Sequence, residues 1–209
     1  MPGNHDYDAM WTDANHPPRA ADTGPASRGM LHADGLTNFK KVFSDKSAFA
    51  RGQRWYVASH DDGADSAQVF TAGGYRFLHI GLQFDAPNAS LAWAAKVIRR
   101  HSALPTIVST HDYLGNAGER RANPAIDHHA VDPQDNSPQV VWDKLISQHD
   151  QIFMVLCGHQ YAQAMRVDAN RHGIRSIRSC RTIRAATRPP RMRAPPCRTG
   201  KGSATAGCG

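Results

Sequence analysis

Apolar runs of strand length, each closing on a polar residue, constrain this chain more than any other feature. They are Tyr75 to Leu82, Thr106 to Thr110 just before His111, and Ile152 to Leu156 just before Cys157-Gly158-His159. Between them lie segments of helical period. Asn88 or Ser90 can cap a helix running to about His101, with Leu91, Ala94, Ala95 and Ile98 on one stripe. Ser137 and Pro138 open a second helix through about His149 that buries Val140, Val141, Leu145 and Trp142. Strands alternating with helices predict an α/β architecture, and open α/β sheets place their sites where the strands end.

The flanking segments carry weaker patterns. The first 60 residues are rich in Pro, Gly and Asn and read as loops, apart from a short helix over Leu36 to Phe43 and a strand over Trp55 to Ala58. Gln68 to Thr71 and Tyr75 to Leu82 flank Gly73-Gly74, a hairpin signature. Residues 115–137 have no apolar period and read as a long surface loop, and Val167 to Gly173 reads as a strand and turn awaiting a return strand. Asp61, Asp62 and Asp65 read as a solvated turn without the calcium-loop pattern, and His128-His129 as a solvated loop pair.

Charge divides the chain sharply. The net charge of +7 suggests a nucleic-acid binder, yet residues 171–209 hold ten of the 25 Lys and Arg and none of the 18 acids. Residues 1–170 therefore carry 15 minus 18, or −3. The last segment has no aromatic residue and two Pro pairs, so 174–209 reads as an Arg/Pro-rich disordered tail. It resembles the product of a shifted reading frame. Nucleic acid is not an expected partner of residues 1–173, although the tail leaves nucleic-acid binding as an alternative function. Cys157 is the one cysteine outside the last 30 residues and reads as a small buried hydrophobe rather than half of a disulfide. The longest apolar run is six residues, too short to span a bilayer, so no membrane is expected as a partner. No signal-peptide order is visible, and the compartment is left open. Walker and nucleophile-elbow motifs are likewise missing.

Three histidines stand at strand ends or in Gly-bounded turns: His5 in Gly3-Asn4-His5-Asp6, His111 after Ser109-Thr110, and His159 after Gly158. Imidazole nitrogen and amide oxygen suit Zn, Mn or Fe, and a strand end holds such a ligand rigidly. A single strand-end histidine is more often structural, but three in these contexts point to a metal site. The segments Gly3-Asn4-His5-Asp6, Ser109-Thr110-His111 and Gly158-His159 resemble the third, fourth and fifth motifs of the calcineurin-like metallophosphoesterases. The resemblance covers residues 1–173. It implies a layered sandwich of two mixed sheets flanked by helices, here incomplete at both ends. It also implies metal-assisted hydrolysis of phosphate mono- or diesters, on a phosphorylated small molecule or a phosphoprotein. Asn4, His111 and His159 would bind the second of two divalent ions (Mn, Fe or Zn), His5 would assist the leaving group, and Asp6 would orient His5.

The departures from that pattern shape the expectation. The family's Asp-x-His and Gly-Asp-x-x-Asp motifs precede Gly-Asn-His-Asp, but only Met1 and Pro2 precede Gly3 here. Tyr161 stands where Gly-His-x-His has its last histidine. The chain thus reads as a partial phosphoesterase domain over 1–173 that keeps the second ion's ligands and lacks the first's. Impaired activity is expected. A phosphoesterase-like binding module without turnover is the alternative.

Overall fold

The seven-stranded sheet that organises this protein draws its strands from residues 56–181. The computed structural model describes residues 1–10, 32–120, 136–160 and 162–181. In chain order the strands are β1 (Ala9–Met10), β2 (His32–Asp34), β3 (Tyr56–His60), β4 (Asp65–Ala72), β5 (Tyr75–Gly81), β6 (Thr106–Ser109), β7 (Ile152–Cys157), β8 (Gln163–Ala169) and β9 (Arg175–Arg181). The helices are α1 (Thr37–Phe43), α2 (Asn88–Arg100) and α3 (Pro138–Lys144). Single 3-10 turns form at Asn4–Asp6, Asp61–Gly63 and Ile146–Gln148. β1 and β2 pair as a separate ribbon, and the other strands line up as β3-β4-β5-β6-β7-β9-β8. Strands β3 to β5 are an antiparallel meander, β5, β6, β7 and β9 run parallel, and β8 returns antiparallel on β9. The α/β class is therefore as expected. Among the described residues one large mixed sheet appears rather than two.

The two faces of the sheet differ because side chains alternate along each strand. One face presents Ala67, Leu78, Ile80, Val108 and Val155, all essentially inaccessible to solvent. Leu91, Ala94, Val97 and Ile98 of α2 and Val141 and Trp142 of α3 close over it in a single core. Each fully buried Leu or Ile contributes roughly 1.5–3 kcal/mol relative to exposure. The α3 start follows the sequence signal: the Ser137 hydroxyl accepts from the Val140 N–H at 3.3 Å and Pro138 occupies the first turn. The opposite face carries a row of rings, Phe70 on Phe77 at 5.4 Å and Phe77 on Phe153 at 6.0 Å.

Three expectations need correction. The boundary placed at residue 173 falls inside a hairpin, because Arg175–Arg181 forms β9 between β7 and β8. A strand inserted in a sheet gains ladder hydrogen bonds on both sides, so an Arg- and Ser-rich segment pairs without a core of its own. Asp65 is not in a solvated turn: it begins β4 and is fully buried. Its carboxylate accepts from the Gln83 backbone N–H at 2.8 Å and pairs with His60 at 2.9 Å, which repays its burial. The second helix ends at Lys144 rather than near His149, and a 3-10 turn follows. His128-His129, Tyr161 and the tail beyond Arg181 lie outside the described residues.

Candidate metal centre

β6 and β7 are parallel neighbours, paired through Ser109 and Leu156, so the residues that follow both strands emerge at the same sheet edge. The ladder continues past the strands. Thr110 N–H donates to the Leu156 carbonyl at 3.0 Å, and Gly158 N–H donates to the His111 carbonyl at 2.8 Å. This register sets His111 beside His159, 48 residues apart in sequence, with His111 Nε2 3.1 Å from His159 Nδ1. His159 adopts φ +66°, a left-handed conformation that costs a side-chain-bearing residue about 1–3 kcal/mol.

The third member comes from the N-terminal turn. Asn4 is buried, and its Oδ1 lies 2.8 Å from His111 Nε2. Gly3 makes that approach feasible: a Cβ there would sit 2.8 Å from the His111 ring. Asp6 accepts from the Gly3 N–H at 2.8 Å and so closes the turn. His5 is exposed on the same turn, one residue from Asn4. Asn4, His111 and His159 therefore converge on one point, with His5 on the rim.

Sequence reasoning missed the support behind these side chains. Phe84, just past the end of β5, is fully buried and packs edge-on against His111 at 5.0 Å and tilted against His159 at 5.3 Å. It holds both rings in place and keeps water from one side. Gln160 donates to the buried Asp112 at 3.1 Å, tying the two strand-end loops together. The signal for Phe84 was its place after a parallel strand, but only register shows which strand ends are neighbours.

Burial, followed by the neighbouring His159, pushes the His111 pKa down to about 4, so this imidazole is neutral near pH 7. Neutral imidazole is the form that binds metal. The donor set itself fits one divalent cation. The Asn4 amide oxygen is only an acceptor, and His111 Nε2 lies within hydrogen-bond distance of both it and His159 Nδ1. Among the described residues no group of three His, Cys, Asp or Glu side chains could hold a metal ion. No family model matches this chain, and no curated protein matches it either.

Proposed function

We propose that this chain is a metal-dependent phosphoesterase of the calcineurin-like type, acting on phosphate mono- or diesters with low turnover. The observation that carries this reading is the meeting of Asn4 Oδ1, His111 Nε2 and His159 Nδ1 within hydrogen-bond distances of His111 Nε2. These atoms come from the segments whose sequence resembles that family's motifs, and a single large mixed sheet is consistent with one half of its layered sandwich. A divalent ion (Mn, Fe or Zn) held there supplies Lewis-acid polarisation and charge neutralisation for a phosphoryl group. Asn4, His111 and His159 hold the ion, Phe84 fixes the two rings, and His5 donates a proton to the departing oxygen. Proton donation of this kind contributes about 10²–10⁴-fold. With these donors for one ion only, turnover is slow. The same donor set, which contains no carboxylate, favours a second reading, a metal-dependent phosphate-binding module without turnover.

The test is hydrolysis of p-nitrophenyl phosphate and its diester by the full chain, with Mn or Zn added or chelated. Metal-dependent turnover lost in both His159→Ala and His5→Ala supports the phosphoesterase. Metal and phosphate binding without turnover supports the binding module. Retention of turnover in His159→Ala overturns both.

A further inference from the structure

On the sheet face away from α2, a cavity of about 420 Å³ lies between β4, β5 and the segment that carries α1. Its size falls within the ordinary range of small-molecule sites. Its walls are five rings, Phe39, Phe43, Phe49, Trp55 and Tyr56. Successive rings contact one another: Phe39 to Phe43 at 4.8 Å, Phe43 to Phe49 at 6.0 Å, Phe49 to Trp55 at 5.4 Å and Trp55 to Tyr56 at 5.9 Å. These contacts are tilted or edge-to-face, which leaves ring faces for an incoming partner. The indole N–H of Trp55 is already committed to Gln53 at 3.1 Å.

The floor is polar and ordered. His79 sits between Gln68 Oε1 at 2.6 Å and Ser109 Oγ at 2.7 Å. Burial pushes its pKa down to about 4, so one ring nitrogen donates and the other accepts. With Oε1 accepting from His79, the Gln68 amide N–H groups are left as donors, and they have no partner among the described residues. The Ser66 hydroxyl beside them likewise has no hydrogen-bond partner among the described residues. Met1 also lines the cavity, and burial lowers the pKa of its α-amino group. The position of its α1 wall depends on Gly63 at φ +94°, where a Cβ would meet the Phe43 carbonyl oxygen at 2.5 Å.

We infer that this cavity binds a planar heteroaromatic molecule, stacked among the five rings with a ring or carbonyl acceptor directed at Gln68 and Ser66. Aliphatic ligands lack the stacking, and aromatic hydrocarbons lack the acceptor. The site is separate from the candidate metal centre and does not depend on its assignment.

Calorimetric titration of the full chain with adenosine, a neutral heteroaromatic probe with several acceptors, tests the inference. Saturable one-to-one binding is expected, together with at least about tenfold weaker binding in Phe49→Ala, the scale of one lost stacking partner. Phe49 is 55% exposed, so that variant keeps its fold, which circular dichroism checks. Gln68→Leu should weaken adenosine by about fivefold or more through the lost donor, and His159→Ala should leave it unchanged. The absence of saturation at millimolar adenosine overturns the inference. So does equal affinity for cyclohexanol, or unchanged adenosine affinity in both Phe49→Ala and Gln68→Leu.

Discussion

His79 and His111 lie in adjacent parallel segments, β5 and the end of β6, and burial pushes both down to a pKa of about 4. Both are therefore neutral imidazoles near pH 7, yet their surroundings differ in kind. His79 has a partner on each nitrogen, Gln68 and Ser109, and the hydroxyl adapts as donor or acceptor. His111 Nε2 faces the Asn4 Oδ1 acceptor and the His159 ring nitrogen Nδ1. Burial sets the protonation state of a histidine, whereas the partners decide whether it is satisfied or poised for a cation. The first is a structural histidine that orders a cavity floor, and the second is a candidate ligand.

The sharpest way to break this contrast is metal binding. His111→Ala and His159→Ala should each weaken Mn or Zn binding in equilibrium dialysis by about 100-fold or more, since each removes a whole donor from a three-donor set. His79→Gln should leave the affinity and the one-ion stoichiometry unchanged. Equal losses in all three variants would erase the distinction.

A smaller effect is expected from Gly3→Ala. The added methyl meets the His111 ring at 2.8 Å and displaces Asn4 from it. Metal affinity should fall by about tenfold, with a stability loss of only about 1–2 kcal/mol by denaturant titration, because the turn lies at the chain's rim. No change in affinity would show that Asn4 contributes nothing to the donor set.

Metal-induced stabilisation gives a third comparison. An ion that binds the folded chain at 100 times its Kd stabilises by about 2.7 kcal/mol. Thermal unfolding with and without Zn should show a rise in Tm for the native chain and for His79→Gln, but not for His159→Ala.

The smallest expected effect concerns pH. A histidine whose folded pKa is depressed is neutral in the folded chain but takes up a proton when unfolded below about 6.5. The unfolded state then binds more protons, so stability falls as pH drops from 6.5 toward 4. His79→Gln keeps a hydrogen-bonding side chain but cannot titrate, and Tm should decline less steeply in that window than in the native chain. His60 has the opposite sign: its hydrogen bond to Asp65 raises its pKa, so its contribution is lost as pH rises. An unchanged slope in His79→Gln would remove burial as the cause of the shift.

Local signals carried a good part of the architecture. Gly73-Gly74 marked the β4–β5 hairpin, the stripe from Leu91 to Ile98 marked α2, and Ser137-Pro138 marked the start of α3. These depend on backbone preferences and side-chain period, which act within a few residues. β9 escaped notice because its Arg- and Ser-rich sequence has no core of its own, and its stability comes from ladders supplied by β7 and β8. Asp65 was misread for a related reason: a lone acid beside Gly63 looks solvated until Gln83 and His60 are seen to satisfy it.

By itself, the sequence determined an α/β chain whose strand ends carry histidines, because alternation and terminal chemistry are local properties. Only the tertiary structure decided which strand ends are neighbours. The parallel β6–β7 register set His111 beside His159, and the lack of a side chain at Gly3 let Asn4 join them from more than 100 residues away. It also assembled five rings from α1, the following loop and β3 over a floor from β4 and β5. Both sites are built from contacts between distant segments, and such contacts leave no period or spacing in the chain that makes them.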